Sequence, residues 1–320
     1  EMPFHAKPGP HTRFPSEIVH FADPRREMSK WKEVIEGRWS LSFVQEKETS
    51  VALFALGERV ANGKVKARHN GPLGIAIAGT VMTTTGDYGF LAGDFDGYGL
   101  RLSNFDGAHA FLFTAKLQSD GTLAGDFWSR DAFHDTWTAT KDPNAQLPDA
   151  FAMTKGVDNA DLAKVAFPDV SGKMRSLADP DLSGKARVIE VFGTWCPNCH
   201  DASHYLADLH RRFRDRGLVV VGLAFELTGE LQRDTEQVKT FAERHKVEYP
   251  LLVAGISDRE KASASLPMLD KLRAYPTLIV LDREGKVRAV YTGFSGPATG
   301  EEHQRFRARF ESLIEKLLAD

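Results

Sequence analysis

Residues 187–213 combine an apolar run with an amphipathic pattern, and both cysteines of the chain lie where the two meet. The run "RVIEVF" has the composition of a buried strand. The segment after it carries apolar residues at helical spacing: Ala202, Leu206, Leu209 and Phe213. Cys196 and Cys199 are therefore predicted at a tight junction between a buried strand and a packed helix.

The C-terminal half continues as an alternation of strands and helices. Strands are predicted in "GLVVVGLAFE" and "YPLLVAGI", and a hairpin in "PTLIVLDREGKVRAVYTGF". Helices are predicted in "DTEQVKTFAERHKV" and "GEEHQRFRARFESLIEKLLAD". This order predicts an α/β sheet covered on both faces, which we assign to residues 164–320.

The N-terminal half has a pattern typical of β-structure. Short alternating runs such as "SVALFALG" and "HAFLFTAKL" are separated by Gly- and Asp-rich turns at a spacing of roughly 8–12 residues. They predict a β-rich domain, either a barrel or a sandwich, over residues 37–141. Residues 1–36 are interpreted as an arm with a short helix that ends at Gly37, and the turn-rich residues 142–163 as a linker.

Composition and charge exclude several classes of function. The 320 residues carry 41 basic and 44 acidic side chains, a net charge of −3 that gives no reason to expect nucleic acid or an anionic membrane as partner. No apolar run approaches the ~18–20 residues of a membrane span, so membrane association is not expected within this chain. The first residues show no signal peptide, and since they do not begin with Met we expect a processed form.

The cysteine motif is compatible with three chemistries. Cys-x-x-Cys can form a redox pair or half of a zinc site, and with His200 it spells the pattern for covalent haem attachment. Covalent haem attachment is disfavoured because the motif lies at the start of a predicted helix. The apolar face of that helix is expected to pack against the sheet, which leaves no open space for haem beside the motif. Zinc sites normally draw ligands from two separated segments, whereas Cys196, Cys199 and His200 come from one helix start. A metal site on these three residues stays open as an alternative.

The position of the pair favours redox chemistry. Cys196 is predicted at the beginning of a helix, whose free N–H groups and partial positive charge favour a thiolate. Pro197 suits the first helical turn, and Cys199 lies one turn deeper, where it can attack a mixed disulfide. A peroxiredoxin would place Pro seven residues and Thr or Ser three residues before its reactive cysteine, but Ile189 and Gly193 stand there.

"FGTWCPNC", followed about eighty residues later by "YPT", resembles the thioredoxin superfamily and in particular its TlpA/ResA-like branch of thiol-disulfide oxidoreductases. The resemblance covers about residues 164–320, and "FDGAHAFLFTAKL" and "GTLAGDFWS" look like the β-rich domain that precedes some members. It implies a thioredoxin fold, with Cys196 as the attacking and Cys199 as the resolving cysteine. Pro276 matches the cis-proline of the family, packed against the pair.

The resemblance also implies a wider set of site residues. Residues expected to shape the site are Trp195, Pro197, Asn198, Tyr275 and Thr277, with the backbone of Tyr275 contacting substrate. Glu190 interrupts the buried strand where thioredoxin keeps a buried acid, and it is expected to exchange protons with Cys199 through a raised pKa. Members of the branch often carry Glu and Pro where Ala202 and His204 stand, so Glu226 is considered as a substitute acid.

These observations predict a protein-disulfide oxidoreductase that exchanges a Cys196–Cys199 dithiol or disulfide with partner proteins, with reduction of the partner as the favoured direction. It would need no cofactor, and an upstream thiol protein would supply electrons. By resemblance the location is periplasmic or otherwise extracytoplasmic. The alternatives are a metal-binding module or chaperone using Cys196, Cys199 and His200, and a scaffold whose β-domain holds a ligand. The oligomeric state does not follow from the sequence.

Overall fold

A computed structural model describes residues 24–59, 65–66, 75–106 and 108–319 of the chain. Its first part consists of α1 (Pro24–Ile35) and strands β1 (Gly37–Phe43), β2 (Ser50–Leu56), β3 (Glu58–Arg59), β4 (Val65–Lys66), β5 (Ile75–Thr83), β6 (Gly86–Asp87), β7 (Leu91–Phe95), β8 (Gly99–Phe105), β9 (Ala110–Leu117), β10 (Leu123–Ser129) and β11 (Phe133–Lys141). The sheet runs in the order β2-β1-β11-β10-β9-β8-β7-β5, and β5 pairs with β2 again. Eight described strands therefore close an antiparallel barrel, which leaves them no free edge and confirms the predicted β-rich domain.

The barrel is filled by side chains from alternate positions of its strands. Tyr88, Phe113 and Phe127 form an aromatic cluster with ring centroids 4.5–5.2 Å apart. These rings and the fully enclosed Trp39 belong to the hydrophobic core of the barrel, whose burial stabilises it. The described strands of the barrel thus enclose a packed hydrophobic core.

The helix predicted before Gly37 covers one end of the barrel. The buried Ile35 belongs to the barrel core, and the Trp31 ring meets Phe95 edge-on at 5.2 Å. The earlier part of the predicted arm, residues 1–23, lies outside the described residues. Residues 142–163 contain no described helix or strand before a short 3₁₀ turn at Leu162–Lys164, and the domain boundaries themselves stay a prediction.

The second part of the chain is a five-stranded mixed sheet with helices on both faces. A hairpin of β12 (Ala166–Pro168) and β13 (Met174–Ser176) precedes it. The sheet strands are β14 (Ala186–Phe192), β15 (Leu218–Glu226), β16 (Leu251–Ile256), β17 (Thr277–Leu281) and β18 (Val287–Thr292), in the order β16-β15-β14-β17-β18. The helices are α2 (Pro197–Phe213), α3 (Leu231–His245), α4 (Arg259–Ala264) and α5 (Glu301–Ala319). This arrangement confirms the predicted thioredoxin fold.

Strand β14 occupies the centre of this sheet, and all seven of its residues are buried. It runs parallel to β15 and antiparallel to β17. The apolar face predicted for α2 is buried at all four positions: Ala202, Leu206, Leu209 and Phe213. Strand and helix are therefore fixed by packing on both sides of the cysteines. Within the described ranges, no helix is long and apolar enough to cross a membrane.

The barrel lies against the cysteine-bearing end of the second domain. Gly296 N–H donates to Asp87 Oδ2 at 2.7 Å, and Asp87 N–H donates to Asn198 Oδ1 at 3.0 Å. A Cβ on Gly86 would lie 2.3 Å from Asn198 Nδ2, so glycine is what lets the barrel come this close. The two domains therefore meet directly at the Cys-Pro-Asn-Cys sequence.

Candidate active site

Cys196 caps the N-terminus of α2, and Cys199 lies one turn into the helix. The Sγ of Cys196 accepts the Cys199 N–H at 3.3 Å, which is the bond that the helix end offers to a thiolate. Cys196 is 3% exposed and Cys199 is fully buried, so the first thiol is the one a partner can reach. Both are free thiols in this structure.

The loop before β17 supplies the opposite wall of the site. The Tyr275–Pro276 peptide bond is cis, as the resemblance implied. The Tyr275 carbonyl accepts from the Cys196 thiol at 3.4 Å, and Thr277 Oγ1 donates back to the Ala274 carbonyl at 2.8 Å. Backbone oxygen at this position therefore faces the attacking sulfur.

Glu190 lies inside the sheet, completely enclosed. Its carboxyl accepts hydrogen bonds from Ser203 Oγ at 2.7 Å and from Tyr249 OH at 3.0 Å. Burial raises the pKa of Glu190 to about 7, although these two bonds partly oppose the rise. A carboxyl that titrates near neutrality is suited to proton exchange.

The surroundings of Cys199 favour its neutral thiol form. Burial raises the pKa of Cys199 well above its ordinary value, and the neighbouring Cys196 and the charge of Glu190 raise it further. The Cys199 thiol is therefore held in its protonated form. Glu190 is the buried acid whose negative charge contributes to the raised pKa of the Cys199 thiol.

Glu226 reaches the site through the turn that leads into Cys196. It accepts from Thr194 N–H at 2.9 Å and from Thr194 Oγ1 at 2.7 Å. The Trp195 indole N–H donates to the Phe225 carbonyl at 2.9 Å, so the end of β15 holds both residues of the turn. Among the described contacts, none joins Glu226 to a thiol, and its observed part is to hold the turn.

His200 is half-buried between α2 and α3. Its Nε2 lies 2.9 Å from the Thr194 carbonyl and its Nδ1 lies 2.7 Å from His245 Nε2. Burial lowers the pKa of His200, and burial with the nearby His200 lowers that of His245 to about 4. Both ring nitrogens of His200 are thus engaged, and the described residues contain no group of three His, Cys, Asp or Glu side chains placed to hold a metal ion.

Sequence reasoning missed the acids at the domain interface. The Asp87 and Asp201 carboxylates both lie within 2.9 Å of the point where a Cβ on Gly296 would stand. Burial, with the charges of Asp87 and Asp106, raises the pKa of Asp201 to about 7. In the sequence, Asp201 is visible only as an acid two residues after Cys199. The carboxylates that lie close to it, Asp87 and Asp106, come from the barrel and are far away in the sequence.

Comparisons with known proteins agree with this geometry. Residues 159–290 match the model of the AhpC/TSA family. The thiol-disulfide oxidoreductase ResA of Bacillus thuringiensis subsp. konkukian is 24% identical over 119 residues, 37% of this chain and 60% of the relative. ResA of Bacillus subtilis is 26% identical over 136 residues, 42% of this chain and 68% of the relative. The chain thus spans three fifths of the first of these relatives.

A solved structure gives a similar comparison. A thiol:disulfide interchange protein of the thioredoxin family from Chlorobium tepidum has a TM-score of 0.37 and 22% identity, covering 54% of this chain and 99% of that one. The C-terminal domain has a thioredoxin fold with the cysteines between β14 and α2, and it is similar to the AhpC/TSA family over residues 159–290. Within the thioredoxin superfamily the chain is TlpA/ResA-like, with a β-rich domain before the redox domain.

Proposed function

We propose that this protein is a thiol-disulfide oxidoreductase that acts on partner proteins through Cys196 and Cys199. The observation that carries the proposal is the placement of the Cys196 sulfur on the N-terminus of α2, with Cys199 buried one turn behind it. Resemblance to ResA supports the same activity. No cofactor is required by this chemistry, because the pair itself carries the two electrons.

The reaction proceeds by two exchanges. The Cys196 thiolate attacks one sulfur of the partner's disulfide, and the other partner sulfur leaves as a thiolate and takes a proton. Cys199 then gives its proton to Glu190 and attacks the Cys196 sulfur of the mixed disulfide. The second partner thiolate is released, the partner has gained two electrons, and the Cys196–Cys199 disulfide holds the oxidised state. A second thiol protein reduces this disulfide again.

We propose an extracytoplasmic setting and reduction as the physiological direction. Stable disulfides in substrate proteins are found in oxidising compartments. The direction depends on the reduction potential of the pair, where about −270 mV is typical of a reductant and about −120 mV of an oxidant.

Insulin reduction with dithiothreitol tests the activity. The wild-type protein is expected to accelerate precipitation of the insulin B chain, and C196S to abolish the acceleration because no attacking sulfur remains. C199S is expected to accumulate mixed disulfides with partner proteins, since resolution is removed. A wild-type protein without turnover that binds one metal ion tightly would contradict the proposal and favour the metal site at Cys196, Cys199 and His200.

A further inference from the structure

One imidazole from the barrel contacts the turn that carries the cysteines. His109 Nε2 lies 2.8 Å from the carbonyl oxygen of Trp195, the residue before Cys196. On the other side of the ring, Nδ1 lies 2.8 Å from Asp106 Oδ2. The His109 side chain is only 14% exposed. A residue of the first domain is thus hydrogen bonded to the peptide group that leads into the attacking cysteine.

Both hydrogen-bond partners of His109 are acceptors. A carbonyl oxygen has no hydrogen to give. Burial alone would raise the pKa of Asp106, but hydrogen bonds from the N–H groups of His109 and Ala108 and from the imidazole hold it below its ordinary value, so this carboxyl is ionised. A neutral imidazole carries one N–H and can serve only one acceptor. The two contacts together therefore correspond to the imidazolium cation.

His200 binds the carbonyl of Thr194, one residue before Trp195, but it does so as a neutral ring. Its Nε2–H donates to Thr194 O, and its Nδ1 can accept from His245 Nε2–H, so a neutral ring satisfies both contacts. Successive carbonyls before Cys196 are thus bound by a neutral imidazole from α2 and by a cationic one from the barrel. The other charged or titratable groups around the interface are Asp87 on β6, Asp201 on α2, and Arg244 and His245 on α3.

We propose that His109 is a positioning residue of the redox site, through which the barrel stabilises the reduced form of the Cys196–Cys199 pair. A cation one peptide group from Cys196 stabilises negative charge on its sulfur. The disulfide form carries no such charge, so the cation displaces the equilibrium toward the dithiol. This inference rests on the proposed function and adds to it a role for the barrel domain.

The test is the equilibrium of the pair with glutathione, read by alkylation of free thiols. H109Q retains a neutral donor for Trp195 O and removes the cation. It is expected to shift the equilibrium about fivefold toward the disulfide, a potential about 20 mV more negative. D106N retains the imidazole of His109 but removes the carboxylate that favours its cationic form. A shift of the thiol-disulfide equilibrium toward the disulfide is therefore expected here too. In a C199S background, H109Q should also move the pH midpoint of Cys196 alkylation upward.

The matched control is H134Q. His134 pairs with Asp126 at 2.9 Å on the outer surface of the barrel and is 49% exposed, so this variant is expected to keep the wild-type equilibrium and alkylation profile. Circular dichroism establishes that each variant is folded. Wild-type values for both H109Q and D106N would overturn the inference and leave the proposed function intact if insulin is still reduced. Failure of the wild-type protein to reduce insulin is the separate result that contradicts the function.

Discussion

Glu190 shows how one residue links the sheet interior to the chemistry. It stands in the central strand with no exposed surface, satisfied by two hydroxyl groups instead of a cation. Burial of an ionised carboxylate is unfavourable in free energy. The protonated form of Glu190 is therefore favoured, and its pKa is raised. The same burial that disfavours the charge raises the pKa of Glu190 to about 7, as the proposed proton exchange with Cys199 requires.

Replacement of Glu190 by Gln is expected to slow resolution of the mixed disulfide. E190Q removes the carboxylate that we propose accepts the Cys199 proton, so we expect turnover at pH 7 to fall about tenfold or more. The pH profile separates this role from a structural one. Wild-type turnover should show an inflection near pH 7 that E190Q lacks. An unchanged rate and profile would mean that Glu190 only fills the sheet.

The same variant is expected to change stability with pH. Because folding raises the pKa of Glu190 from 4.5 to about 7, the folded state binds its proton more tightly, and stability is lost as pH rises through this interval. E190Q carries no such charge. It should exceed the wild type in free energy of unfolding by about 1–3 kcal/mol at pH 8, with the gap closing toward pH 5. Urea unfolding at pH 5 and pH 8 measures the difference in free energy of unfolding between the two proteins. An equal difference at both pH values would contradict the raised pKa of Glu190.

At the scale of elements, the turn between β14 and α2 is held by its neighbours more than by its own sequence. Thr194 is bound by the end of β15 and by α2, and Trp195 by β15 and by the barrel. Each contact satisfies a polar group that burial would otherwise leave costly. The sulfur of Cys196 is placed by this turn, so distant residues determine its geometry.

Removal of the Glu226 carboxylate is expected to loosen that turn. E226A leaves the Thr194 N–H and hydroxyl without their acceptors, which should lower the free energy of unfolding by about 1–3 kcal/mol and reduce insulin turnover. The control is E230A, since Glu230 is exposed at the start of α3 and its side chain makes no capping bond. Thermal unfolding compares the two. Equal stability of E226A and E230A would show that the hydrogen bonds from Thr194 to Glu226 contribute nothing to the free energy of unfolding.

The sequence predicted the elements whose signals are local. The strand–cysteine–helix junction follows from periodicity, and Glu190 was singled out by an acid within an apolar run. Strands β7 and β8, which meet within the Gly- and Asp-rich stretch "DFDGYG", were not predicted individually. The link from Glu226 to Thr194 spans 32 residues, and that from His109 to Trp195 spans 86. Such contacts depend on how elements dock, which periodicity does not encode.

At the scale of the whole molecule, the barrel forms part of the redox site. The Asp87 carboxylate accepts the Gly296 N–H, the Asp87 N–H donates to the Asn198 side-chain oxygen, and His109 binds the Trp195 carbonyl, so three points join the domains around the cysteines. Asp201 faces this junction with a pKa of about 7, raised by burial and then by Asp87 and Asp106. Docking of the domains therefore favours the protonated form of Asp201.

This linkage predicts that the junction weakens as pH rises. The pKa of Asp201 is raised from 3.8 to about 7, so its contribution to docking is present at low pH and declines as pH rises between these values. Proteolysis within residues 142–163 is expected to be about threefold or more faster at pH 8.5 than at pH 5 relative to an unstructured peptide, and D201N should reduce the difference. D208N, further along α2 at a 49% exposed position, is expected to behave as the wild type. Retention of the full pH effect in D201N would assign it to another group at the junction.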